Sequence, residues 1–136
     1  MKKKPAVLAL ALCLIFAFGT VAMAAPTVDI VPSWTSDAKV TPMLSISGST
    51  AKCKLYVNTQ KSNESIVSTV YLQKKQSNGS YGNPIKTWSR MTGVGSLSFV
   101  DTYSPVSSGS YRLKAMVYVY GAGGTDEIMR YAYATK

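Results

Sequence analysis

Histidine is absent from all 136 residues, and that absence removes a large share of enzyme chemistry. No Ser-His-Asp triad, Cys-His pair, His-bearing zinc site or imidazole general base can be assembled without it. Acids are scarce as well: six Asp and Glu stand against 15 Lys and Arg, for a net charge of +9. Paired-carboxylate catalysis needs two acids roughly 5–10 Å apart across a cleft. Asp29, Asp37, Glu64, Asp101, Asp126 and Glu127 are instead scattered along the chain. The adjacent Asp126 and Glu127 point to opposite faces of an extended segment, Asp126 expected as a solvated turn residue and Glu127 as a strand-edge charge. Calcium-loop spacing is also missing. The glycine-rich "YGAGGTDE" of 120–127 lacks Lys and joins two strands rather than opening a helix, so it is no phosphate loop. The expectation is a protein that is not an enzyme, with no catalytic residues, no metal site and no cofactor.

Cysteine occurs only at positions 13 and 53. The first lies in an N-terminal segment with the three parts of a secretory signal peptide: the cationic "MKKK", a largely apolar run from Pro5 to Ala22, and the small-x-small "AMA" of 22–24. Cleavage after Ala24 leaves Ala25 at the new terminus, whereas cleavage after Ala25 would place Pro26 there. The apolar run of roughly 18 residues is long enough for a membrane anchor, but its small-residue exit favours removal. Lipid attachment at Cys13 is disfavoured by the bulky Leu12 before it. Removing 24 residues leaves 112, enough for one domain that buries about 65% of its unfolded surface. Twelve basic residues then face six acids, a balance of +6. Such a chain is drawn to anionic polymers or membrane surfaces, without stable membrane insertion once the signal is cut. Cys53 has no internal partner. In "TAKCKLYVN" it alternates with Ala51, Leu55 and Val57, as a small buried apolar side chain would.

From Val40 onward apolar and polar residues alternate, with turn residues about every 8 to 12 positions, the pattern of an all-β sandwich. Strands are predicted over 41–47, 51–58, 66–75, 85–91, 95–102, 110–120 and 127–134, with Asn78-Gly79 the clearest hairpin turn. The segment 25–40 reads as an extended arm pinned by Trp34. In "SSGSYRLKAMVYVY" Tyr111, Leu113, Ala115, Val117 and Val119 form one face and Arg112, Lys114, Met116, Tyr118 and Tyr120 the other. Gly109 stands two residues before Tyr111 and Leu113 two after it. That spacing resembles the tyrosine corner of immunoglobulin-like domains. The predicted fold is an all-β, immunoglobulin-like β-sandwich of about seven antiparallel strands over 41–136, preceded by the arm and the signal-peptide helix of 1–24.

The stretches "SISGSTAKC", "LQKKQSNGSY", "KTWS" and "SPVSSGSYRLKA" resemble small secreted proteins of Gram-positive, clostridial-type bacteria that carry one Ig-like domain. The resemblance spans about 44 to 115. It implies fold and a secreted compartment only, and brings no site residues with it; cell-wall association is a separate expectation, from the basic charge.

Binding surfaces are what remain. Lys52, Lys54 and Tyr56 are expected outward on the second strand, and Arg112, Lys114, Tyr118 and Tyr120 outward on the sixth, with Arg130 a possible addition on the seventh. The two groups fall on different sheets. The second is the more aromatic, because Tyr131 and Tyr133 or their neighbours lie beside it and Tyr71 adjoins it on the third strand. Tyr with Arg and Lys can stack on sugars and attract anionic polymer, or meet a protein partner. The plainer alternative is that cross-strand Tyr pairs stabilise an exposed sheet and Lys guards its edges. Trp88 sits in "KTWSRM", where simple alternation puts it with Lys86 and Arg90. A one-residue bulge on an edge strand would turn it inward; burial is the favoured reading, display between the two cations the other. The ligand-binding candidates are therefore Lys114, Tyr118, Tyr120, Arg112, Tyr71 and Trp88. The expected partner is an anionic cell-wall polymer or a surface protein, not nucleic acid, with no oligomeric state assigned. A bacteriocin-like membrane-active toxin and a structural or assembly subunit are the alternatives.

Overall fold

Alternation needs a partner face to bury against, and seven strands supply one. The computed structural model describes residues 35–136. The expected signal peptide of 1–24 and the expected arm as far as Trp34 lie outside the described residues. The strands are β1 (Lys39–Ser47), β2 (Thr50–Asn58), β3 (Ser65–Lys75), β4 (Tyr81–Val94), β5 (Ser96–Tyr103), β6 (Ser110–Gly121) and β7 (Gly124–Thr135). No helix occurs among the described residues.

All pairings are antiparallel, in the order β1-β2-β5-β4-β3-β6-β7. The β5–β4 link is a single residue pair, Val94 with Ser96. Two sheets result, β1-β2-β5 and β4-β3-β6-β7, hinged at the residue between them. Gly95 makes that corner at φ 70, and a Cβ there would come within 3.1 Å of Ser62 Cα. Its N–H donates to Glu64 O at 2.7 Å and its carbonyl accepts from Thr59 N at 2.9 Å, so the switch between sheets is pinned by backbone.

The inner faces form one core. Ala51, Cys53, Leu55 and Val57 of β2 and Leu97 of β5 share it with Ile66, Val70 and Leu72 of β3, Leu113, Ala115, Val117 and Val119 of β6 and Ile128 of β7. Each fully buried aliphatic contributes on the order of 1.5–3 kcal/mol. Tyr111 is 1% exposed, and its hydroxyl donates back to Ser107 O at 2.6 Å, the corner that the Gly-x-Tyr-x-Leu spacing predicts. On the far side of the core Val40, Leu44 and Ile46 of β1 pack against it. Asp126 is not a solvated turn residue. It lies in β7 and its Oδ2 accepts from Ser36 N at 2.9 Å and Ser36 Oγ at 2.8 Å, tying the segment before β1 to the last strand.

The other strand boundaries fall within two residues of expectation, but β7 begins at Gly124 rather than 127, inside the expected turn, and β4 runs 14 residues rather than the short 85–91. "YGNP" reads as loop by composition, yet β4 has a free edge along most of its length and tolerates Pro84 there. Gly79 at φ 86 closes the hairpin, its N–H donating to Gln76 O at 3.0 Å.

Candidate functional site

Strand register decides which side chains meet on the outer face of β4-β3-β6-β7. Arg112 of β6 is opposite Gln73 of β3 and Tyr133 of β7; Lys114 is opposite Tyr71 and Tyr131. Lys75, two residues beyond Gln73, is opposite Tyr81 of β4. Register therefore brings four strands to one point, and Arg112 occupies it. Its guanidinium carbon lies 4.3 Å from the Tyr81 ring centre and 4.9 Å from that of Tyr131. Its Nε donates to Gln73 Oε1 at 2.8 Å, and Gln73 Nε2 in turn donates to Gly82 O at 2.9 Å. Tyr133 leans on Tyr81 at 6.1 Å and stacks on Tyr131 at 6.3 Å between ring centres. Lys114 lies 5.8 Å from the Tyr71 ring. Cation–π contacts of this kind contribute about 0.5–2 kcal/mol each, so the half-buried Arg112 is held rigidly.

Two features leave this cluster open to a ligand. The terminal nitrogens of Arg112 have no hydrogen-bond partner among the described residues, and no acid there pairs with it; the sole ion pair among those residues joins Lys61 to Glu64 at 3.6 Å. Tyr131 and Tyr133 are 39% and 60% exposed. An open groove of about 650 Å³ at the β3–β4 hairpin is lined by Lys74, Lys75, Gln76, Asn78, Gly82 and Asn83; Lys75 pairs with Tyr81, which does not itself line it.

The six expected site residues separate into three places. Arg112, Lys114 and Tyr71 are gathered. Tyr118, opposite Val67 and Glu127, and Tyr120, opposite Ser65 and Thr125, face the same way but lie toward the other end of the sheet. Six residues of strand place Tyr118 about 20 Å from Arg112, with Met116 and Met129 paired between them. Trp88 is not on this face at all. Ser68 pairs with Met91 and Val70 with Trp88, two steps on β3 against three on β4. The extra residue is a bulge, Arg90 enters it at φ 56, and Trp88 turns toward the core.

There the indole packs on Phe99 at 5.4 Å between ring centres and donates from Nε1 to Asp101 Oδ2 at 2.7 Å, bridging the free edges of β4 and β5. Lys86 stays beside it at 6.0 Å; Arg90 does not. Asp101 also accepts from Thr102 N at 2.7 Å. That backbone bond first, then the indole N–H, hold its carboxyl below the usual aspartate range; desolvation opposes them, and the positive Lys86 adds the least to the lowering. With both oxygens engaged, this network closes the sandwich edge. Gln73 and Tyr81 were invisible as site residues in the sequence, Tyr81 because it sat in an apparent loop; an outward Lys75-Tyr81 pairing would have needed the β4 bulges in advance.

The β2 face carries Lys52, Lys54 and Tyr56 outward, flanked by Met43 and Val100, with one aromatic and no comparable cage. Arg130 is exposed but opposite Ala115, on the inner-facing alternation of edge strand β7. Cys53 is buried, and desolvation first, with the negative Asp101 second, pushes its thiol from an ordinary 9.0 up to about 12, where thiolate chemistry is shut off. Among the described residues no group of three or more His, Cys, Asp or Glu could hold a metal.

No family model matches the chain, and no curated protein matches it significantly. Among solved structures, the alkylpurine DNA glycosylase AlkC of Pseudomonas fluorescens, bound to DNA containing an abasic site analogue, is similar at 12% identity with a TM-score of 0.44. The likeness covers 73% of this chain and 31% of that one, so the chain spans about a third of its neighbour's length. At that score it assigns neither fold nor activity.

Proposed function

We propose that this chain is a secreted, non-enzymatic binding module on an immunoglobulin-like sandwich that engages an anionic glycopolymer of the Gram-positive cell envelope. The observation that carries the reading is the uncompensated cationic, tyrosine-rich face around Arg112 and Lys114: charge supplies attraction and exposed rings supply contact surface for sugars. The strand order, with β1, β2 and β5 in one sheet and β3, β6 and β7 in the other, supports the immunoglobulin-like assignment. So does the Tyr111 corner. The signal pattern of 1–24 is what supports the secreted part of the reading.

Sedimentation of the purified protein with Gram-positive walls, with and without their teichoic acid and at low and high salt, tests the proposal. Co-sedimentation that disappears on removal of the polymer or on raising salt is the expected outcome. No sedimentation at low salt would sink it and redirect attention to protein partners.

A further inference from the structure

Arg112 is an unusual cation for a sheet surface. Two tyrosine rings and an amide restrain it, no acid neutralises it among the described residues, and its Nε is already used. What stays available is the outer edge of the guanidinium, the pair of terminal nitrogens whose parallel N–H groups match two oxygens of a carboxylate or phosphate. Pre-ordering such a fork removes much of the entropy lost when a flexible Arg binds.

We propose that Arg112 takes a single oxyanion of the glycopolymer in this bidentate way while the adjoining sugar ring lies on Tyr133, the most exposed ring of the cluster. The inference rests on the binding reading above and adds the ligand group and the residue that reads it. Tyr81 and Gln73 are positioning residues: Tyr81 and Tyr131 hold the guanidinium plane, and Gln73, itself held by Gly82 O, fixes its rotation. Further residues of the polymer would run past Tyr81 into the groove lined by Lys75, Asn78 and Asn83. Carboxylate and phosphate share the recognising chemistry, and the probes separate them.

The experiment is an NMR titration of the purified protein with glucuronate, glycerol phosphate and neutral glucose, following the Arg112 Nε–H and Tyr133 ring signals. A saturable shift with at least one anion and none with glucose is expected, and the stronger anion names the source. Arg112→Lys keeps the charge but loses the fork, and weakens that binding about tenfold, the loss of a charge-assisted hydrogen bond. Lys54→Gln on the other sheet leaves it unchanged. Tyr133→Ala, a change at an exposed ring that spares the fold, weakens glucuronate about fivefold but leaves acetate and inorganic phosphate alone. No saturable shift with either anion, or an unaltered titration in Arg112→Lys, overturns the inference. If Arg112→Lys still sediments with walls as wild type does, the binding face survives and its assignment to a bidentate oxyanion fails. Saturation by small anions without wall binding leaves the oxyanion site standing and removes the envelope reading.

Discussion

Replacing Tyr111 by Phe removes the hydroxyl's contacts with Ser107 and little else. The ring is buried and packs in the core, so Phe keeps its apolar contacts; what is lost is the 2.6 Å bond from the hydroxyl to Ser107 O and a longer 3.3 Å contact with Ser107 Oγ, which also accepts from Lys74 Nζ. A typical intramolecular hydrogen bond contributes about 0.5–1.5 kcal/mol net. Ser107 is exposed, so water can satisfy its freed carbonyl and the cost stays near ~1 kcal/mol rather than reaching the penalty of a stranded buried acceptor. For a domain of this size, unfolding entropy near the midpoint is roughly 0.2 kcal/mol/K, which converts the loss to a fall of about 5 °C in Tm. Tyr111→Ala, which also removes the ring, should cost about 3–5 kcal/mol. Urea unfolding followed by circular dichroism measures both, and an unchanged m-value would assign the effect to the folded state. A Tyr111→Phe protein within about 0.3 kcal/mol of wild type, well below the range for such a bond, would refute the view that this hydroxyl fastens the β5–β6 connection.

Three further outcomes follow from the geometry. Cys53 should resist thiol reagents in the folded protein; because its folded pKa is raised, stability is full below about 9 and declines as pH climbs toward about 12, a trend that Cys53→Ala should flatten in pH-dependent urea melts. Asp101 has the opposite sign: its depressed pKa contributes stability above the ordinary aspartate range that is lost as pH falls through the folded value. In a Trp34→Phe background, Trp88 fluorescence should report that acid transition and Asp101→Asn should abolish it. Arg90→Gly should raise stability by about 0.5–1 kcal/mol, since glycine enters the left-handed region without the Cβ cost and β4 keeps its bulge; a loss of stability in thermal melts would mean the Arg90 side chain matters more than its backbone.

The sheet faces were legible because alternation in strands such as Ser110–Gly121 is strict: Tyr111 through Val119 are buried at every second position. Tyr111 announced its own corner through local spacing. What the sequence hid was register between distant strands. Irregularities between Ser68 and Val70, Leu72 and Gln73, and Gln73 and Lys75 shift β4 against β3, and they decide both that Trp88 turns to the core and that Tyr81 reaches Arg112. A bulge costs little locally and has no reliable sequence mark, so the Trp88 inversion could be argued only from the gain of burying an indole. The Arg112 cluster draws on β3, β4, β6 and β7 at once. Composition identified its outward cations and tyrosines but could not separate Arg112, Lys114 and Tyr71 from Tyr118 and Tyr120 along the same strands.

The claim that one face does the binding is tested most directly by wall-binding isotherms of Lys114→Glu and Lys54→Glu, two proteins of equal net charge altered on opposite sheets. Binding is expected to fall at least about tenfold in Lys114→Glu, for a charge contact at the site, and to change little in Lys54→Glu. Equal weakening in the two would show that net charge alone draws the protein to walls and would contradict a binding site built around Arg112.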